Sequence, residues 1–254
     1  MASFVYDASD KRSVNSLIGR VYGYMFFNLV LTAVVAIGVG LLFNYWIFGT
    51  FNISDNLGNI EVVNGSGVVT LFITMIVSAI ALFIMSFVVH ARAFRGKALS
   101  VPSIIYCVLM GTLLSSLVMF VPWPILGITF AITAGIFGIM FLISYLSKGS
   151  LNSLGIIGIG LLIGSGILAL IGWIFMLTGF LGAYMHLYWI ISLLSFAAIM
   201  FITIWDMWRI KTIAQEGEMS DNIVLYCAFI LYVDFIYIFL RVLRIVLYFV
   251  GRRN

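Results

Sequence analysis

Long apolar runs alternate with short polar breaks along this chain. Seven runs stand out, roughly at 21–48, 68–89, 102–121, 124–146, 154–178, 184–207 and 223–248. An α-helix needs about 20 apolar residues to cross the hydrocarbon of a bilayer. The breaks at 52–67, 92–100, 147–152 and 209–222, and the Pro122-Trp123-Pro124 turn, are polar or carry Gly and Pro. The break at 179–183 is barely polar and is the weakest boundary. Continuous apolarity, without a period of two, excludes a transmembrane β-barrel. The pattern predicts an all-α membrane protein with seven transmembrane helices. No linker is long enough to divide it, so 1–254 reads as a single polytopic domain with a short polar N-terminal tail, 1–20. That tail lacks the basic-then-apolar layout of a cleaved signal peptide.

Composition narrows the class. Hydrophobic residues make up 64 % of the 254 and charged residues 9 %. Soluble domains carry about 25 % charged residues, and a water-facing surface cannot be built from so few. A soluble globular enzyme, a disordered protein and a nucleic-acid binder are excluded, and the lipid bilayer is the expected partner. The net charge of +4 matters less than where the charges fall. With a cytoplasmic N-terminus, the inner segments hold Lys11, Arg12, Arg20, Arg92, Arg95, Lys97, Lys148, Arg209 and Lys211, and the outer loops between spans hold none. The positive-inside rule then places the N-terminus in the cytoplasm. Arg241, Arg244, Arg252 and Arg253 are the exception. A re-entrant last segment would return them inside. The 18 residues 223–240 span about 27 Å as a helix, enough to cross, which favours seven spans over six.

Several motifs have plain readings. Cys107 and Cys227 sit in apolar runs and read as small buried hydrophobes. His90 and His186 each lie near the end of a run, and no HExxH or CxxC is present. Asn52-Ile-Ser54 and Asn64-Gly-Ser66 match the glycosylation sequon, a pattern that also arises by chance in an Asn/Gly/Ser-rich loop. Gly155, Gly158, Gly160, Gly164 and Gly166 form a GxGxxxG-type stretch. It follows no strand, so it reads as a close helix-packing surface and not as a nucleotide loop.

The acidic residues carry the chemistry. Seven of nine lie in the tail or loops: Asp7, Asp10, Asp55, Glu61, Glu216, Glu218 and Asp221. Asp206 and Asp234 lie within apolar runs. A charged side chain at mid-bilayer costs at least about 2.5–3.5 kcal/mol on insertion scales. Such residues face the bundle interior or a wet cavity and mark function by default. Asp206 is fourteen residues before Ser220 and Asp234 fourteen after it, so a helical hairpin would bring both to similar depth. The plainer alternative is that each bonds a helix neighbour or an arginine. Carboxylates about 5 Å apart repel by roughly 3 kcal/mol at an effective dielectric of about 20. Such a pair would share one proton near neutral pH, release it in mild base and titrate as a unit. Two carboxylates with backbone or water oxygens would also suit transient binding of a hard cation such as Ca²⁺. Arg209, three residues from Asp206, and Arg92 and Arg95, at the end of the second run, are candidate latch partners. Snorkelling to the interface is the alternative for all three.

These residues resemble a known family. Trp205-Asp-Met-Trp-Arg-Ile-Lys211 is similar to the YDxxxIK signature of the Bax inhibitor-1-like (transmembrane Bax inhibitor motif) proteins. Leu231-Tyr-Val-Asp-Phe-Ile-Tyr-Ile-Phe-Leu-Arg-Val-Leu-Arg-Ile245 resembles their LYLDFINLFxxLLRI segment. Arg20-Val-Tyr-Gly-Tyr-Met25, Gly111-Thr-Leu-Leu-Ser-Ser116 and Thr133-Ala-Gly-Ile-Phe-Gly138 agree, and look most like bacterial members. The resemblance implies seven helices with the last one central, wrapped by the other six. It implies an integral, multi-pass protein of a bacterial inner membrane that acts as a pH-sensitive, Ca²⁺-permeable leak. Asp206 and Asp234 would then be the sensor and ion pathway, with the latch arginine mapping onto Arg92 or Arg95. Ca²⁺ would be the permeant ion and H⁺ the regulator, with no resident cofactor and no enzymatic reaction. Trp205 stands where the family has Tyr, and Tyr237 where it has Asn. The second run has no acidic residue, although some members carry one there.

Other functions remain as alternatives. A proton-coupled transporter would show inverted repeats, and none is convincing here. A membrane scaffold that modulates other membrane proteins would not depend on the aspartates. An intramembrane aspartyl protease also carries two late-helix aspartates, but with a GxGD motif and a later Pro-Ala-Leu. Here the second Asp follows Leu231-Tyr-Val, and no proline occurs after Pro124.

Overall fold

The computed structural model describes the backbone at 2–48, 65–147, 149–177, 181–215 and 220–251, and the side chains at 14–47, 65–147, 149–177, 187–215 and 220–251. Its elements are α1 (Ala2–Phe48), α2 (Gly65–Phe94), α3 (Ser100–Phe120), α4 (Trp123–Leu146), α5 (Asn152–Leu177), α6 (Leu181–Gln215) and α7 (Asp221–Gly251). No strand occurs among the described residues. Each helix contains a stretch long and apolar enough to cross a membrane. The chain is therefore an all-α, seven-helix membrane protein. The 31 residues of α7 extend about 46 Å at 1.5 Å per residue. One unbroken helix of that length leaves no reversal for a re-entrant segment.

α1 is longer than the first apolar run. It starts at Ala2, so the polar stretch 1–20 is helical from its second residue. No proline interrupts it, and its first glycine is Gly19. The first sequon, Asn64 of the second, Asp55, Glu61, Lys148, Glu216, Glu218, Arg252 and Arg253 lie outside the described residues, as do the side chains of Asp7, Asp10, Lys11, Arg12 and His186.

The chain divides into two compact units. The first comprises Met1–Ile128 with Glu218–Tyr232, and the second Thr129–Gly217 with Val233–Asn254. α7 therefore contributes its beginning to one and the rest to the other.

In the first unit α1 lies against α3 along small residues. A Cβ on Gly111 would stand 2.8 Å from the Thr32 carbonyl oxygen, and one on Gly40 3.1 Å from that of Ser115. Such close approach is how helices associate where lipid removes the hydrophobic drive. The contact carries buried polar links. Asn28 Nδ2 donates to Ser103 Oγ at 3.3 Å. Thr32 Oγ1 lies 2.7 Å from the Tyr232 hydroxyl and 2.9 Å from the Asn28 carbonyl oxygen. Tyr106 packs edge-on against Phe229 at 4.9 Å. Ile47, Leu71 and Met119 form an apolar cluster joining α1, α2 and α3. Gly96, with φ of 62°, ends α2 in the left-handed conformation, and Lys97 N–H closes back on the Arg92 carbonyl at 3.0 Å. Asn222 donates to the Gly96 carbonyl at 3.1 Å, and Arg20 pairs with Asp221 at 2.6 Å. Asp221, in the first turn of α7, also suits the positive end of the helix dipole. Cys107 and Cys227 are buried and form no disulfide, as their apolar setting predicts. His90 Nδ1 bonds the Ser86 carbonyl of its own helix at 2.7 Å.

In the second unit α5 lies against α6. Gly155 meets Trp205, and Gly158 meets Ile202 and the Ala198 carbonyl. Gly160, Gly164 and Gly166 have nothing within 4 Å of a Cβ. The glycine stretch is thus a packing surface at two of the five positions. Phe235 of α7 sits 5.5 Å from Phe130 and 5.4 Å from Phe137 of α4. Buried hydroxyls here bond carbonyls of their own helices, as with Thr133 to Thr129 at 2.8 Å and Ser195 to Ile191 at 2.7 Å. That satisfies them without a partner helix.

Candidate functional site

Both aspartates belong to the second unit, on α6 and α7. Neither helix has a Gly or Pro between 184 and 250 in its described span, so both run straight past the aspartates. They are antiparallel neighbours. The Trp189 ring meets that of Tyr248 at 4.6 Å. An equal number of residues further along α6 and back along α7, Thr203 stands at Asp234. Asp206 is three residues beyond Thr203, about 4.5 Å along the axis. On α6, Asp206 and Thr203 are the side chains that act on Asp234.

Thr203 is fully buried, and its Oγ1 donates to the Ile199 carbonyl at 2.8 Å. Asp206 and Asp234 are half-buried. Oδ2 of Asp234 is enclosed and has no hydrogen-bond partner among the described residues. The charge acting on Asp234 is that of Asp206. The charge acting on Asp206 is the Arg209 guanidinium. Arg209 is exposed, 5.4 Å over the Trp205 ring. Among the described residues no cation comes within the 4.0 Å of an ion pair to either aspartate.

An enclosed polar atom left unpaired costs about 1–3 kcal/mol. A proton shared between the two carboxyls would satisfy Oδ2, and so would a cation held beside it. No third His, Cys, Asp or Glu joins them among the described residues. Water and backbone oxygens would have to complete the coordination shell of a hard cation.

The structure sets Asp206 beside Asp234, and Arg209 acts on Asp206 alone. Arg92 and Arg95 lie in the first unit, exposed at the end of α2. The late arginines of α7 turn to α6: Arg241 donates to Ser192 Oγ at 3.3 Å, and Arg244 lies 5.8 Å over the Tyr188 ring. Sequence reasoning missed Thr203. Its signal was a hydroxyl one turn before Asp206 on the same helical face.

Trp205 is held on its far side. Its Nε1 donates to Asn152 Oδ1 at 3.2 Å, and its ring lies over Gly155. A Cβ on Gly155 would meet Cδ2 at 2.6 Å and Cγ at 2.7 Å. These are atoms of a rigid ring that cannot swing aside. Gly155→Ala is therefore expected to cost about 1–3 kcal/mol by overpacking, read as a lower thermal midpoint in detergent. Gly160→Ala, with open space around its Cβ, should be neutral or gain up to about 1 kcal/mol from helix propensity. Equal midpoints for the two variants would contradict the Trp205 contact.

The chain is 26 % identical over 240 residues to the inner membrane protein YbhL of Escherichia coli K12, covering 92 % of each. YbhL of E. coli O6:H1 matches to the same extent. No solved structure matches. The family model described as inhibitor of apoptosis-promoting Bax1 matches residues 14–252. That match covers nearly the whole chain, which belongs to the Bax inhibitor-1-like family.

Proposed function

We propose that this protein is a pH-sensitive, Ca²⁺-permeable leak channel gated by protonation of the Asp206–Asp234 pair. The observation that carries the reading is the enclosed Oδ2 of Asp234, without a hydrogen-bond partner among the described residues and with Asp206 as the charge beside it. A carboxylate so placed in a membrane helix is costly and marks an ion or proton pathway. In this reading the aspartates exchange a shared proton and catalyse no bond cleavage. Ca²⁺ is the cargo, bound transiently at Asp206 and Asp234. Arg209, whose charge already reaches Asp206, is the latch candidate in the same unit, and Arg92 and Arg95 are those of α2. The last helix is central. Half of its most apolar stretch is buried, a share matched only by α3 among the seven, against 17–22 % elsewhere. The membrane is a bacterial inner membrane, as the name of the E. coli relative suggests, and the lysine and arginine distribution puts the N-terminus in the cytoplasm.

Purified protein in liposomes loaded with a Ca²⁺ dye tests this. Flux is expected to change with pH in the wild type and to lose that dependence in Asp234→Asn. A flux equal to that of empty liposomes at every pH would sink the reading.

A further inference from the structure

We propose that the far end of the second unit holds a binding site for the phosphate of an anionic phospholipid, built around Lys211. A cavity of about 590 Å³ opens between the C-terminal ends of α4 and α6 and the link that precedes α5. That volume is in the usual range for a small-ligand site. Tyr145, Ser150, Trp208, Lys211 and Gln215 are among its walls.

The ammonium of Lys211 is fixed in this wall. It donates to the carbonyls of Tyr145 at 2.7 Å and Ser147 at 3.1 Å and lies 5.5 Å over the Tyr145 ring. Those carbonyls end α4, where the helix dipole is negative, so a cation is favoured there. An ammonium has three N–H donors, and these two bonds leave the third for a ligand. No carboxylate lines the cavity among the described residues. A held cation with no described carboxylate beside it suits an anion with oxygen acceptors.

The surroundings select a lipid. The cavity lies where two membrane-crossing stretches, Trp123–Leu146 and Leu187–Gln215, come to their ends. Trp208 and Tyr145 are the amphipathic aromatics that settle at the level of headgroups. Below the rim, α4 exposes Leu142, Ile143 and Leu146, an apolar track for acyl chains. Basic pockets at the ends of membrane helices bind acidic headgroups by this combination. A free phosphate would use Lys211 but not the apolar track.

The test is native mass spectrometry of the full chain, released from micelles holding phosphatidylglycerol or phosphatidylcholine. The wild type is expected to retain phosphatidylglycerol preferentially. Lys211→Ala should weaken retention about tenfold, the scale of one charge-assisted hydrogen bond, and Lys211→Arg should restore much of it. Because Lys211 also caps α4, a second variant leaves that cap intact. Gly149 lines the cavity with nothing within 4 Å of its Cβ. Gly149→Glu should repel the lipid, whereas Gly149→Gln should bind as the wild type does. Equal retention of the two lipids by the wild type, or equal binding by Gly149→Glu and Gly149→Gln, overturns the proposal. Displacement by inorganic phosphate as readily as by short-chain phosphatidylglycerol overturns the lipid assignment.

Discussion

Asp206→Asn and Asp234→Asn are each expected to abolish most of the pH response of ion flux, and the double variant to add almost nothing. Two carboxyls that share a proton titrate as one unit, so removing either member removes the unit. Mutations at residues that act together are strongly non-additive. The geometry favours this. Asp206 is the charge acting on Asp234, and Oδ2 of Asp234 has no hydrogen-bond partner among the described residues. The measurement is the ratio of Ca²⁺ flux at two pH values in proteoliposomes, for the wild type, both single variants and the double. Independent sensors would give single variants that each keep part of the response and a double that loses the sum. That outcome would dismantle the pair.

The second large effect is on stability. Gly111→Val should lower the thermal midpoint far more than Gly38→Val. A Cβ at 111 would meet Val35 Cβ at 2.7 Å and the Thr32 carbonyl oxygen at 2.8 Å, whereas Gly38 has open space. The Thr32 contact is backbone, so relief requires α1 to shift. Thr32 is also the residue whose hydroxyl meets that of Tyr232 at 2.7 Å. Moving it strains a buried hydrogen bond worth about 1 kcal/mol, on top of about 1–3 kcal/mol of overpacking. For a chain of this size each kcal/mol is worth about 2–4 °C. Thermal unfolding in detergent reads the difference, and matched midpoints would mean that α1 and α3 do not approach closely at Gly111.

The helices were legible because a run of some 20 apolar residues is a local signal that no tertiary contact has to supply. Each described part of the seven runs lies in its own helix, apart from Val121 just past the end of α3. The ends were less legible. Nothing in the charged stretch 1–20 marks where α1 starts, since neither polarity nor charge stops a helix. Which faces meet was legible only where glycine forces contact. The same glycine spacing on α5 packs at Gly155 and Gly158 and is open at Gly160 and beyond, because apolar side chains suit lipid and protein alike. For the site, scarcity of charge singled out Asp206 and Asp234. Thr203 escaped because a threonine can satisfy itself on its own helix, as this one does on Ile199. The bond from Thr32 to Tyr232 joins positions 200 residues apart and leaves no local trace.

The fit of Trp205 over Gly155 also sets the order in which this part of the chain can diverge. The atoms nearest to a Cβ at 155 are Cγ, Cδ2 and Cε2 of the five-membered ring, and Cγ is an atom that any aromatic side chain at 205 would bring. Alanine is penalised at 155 while an aromatic ring stands over it and becomes accessible only after residue 205 has lost that ring. The reverse change, an aromatic ring entering at 205, is open only to a lineage that already carries glycine at 155. One contact next to Asp206 thus makes two positions 50 residues apart historically dependent on each other.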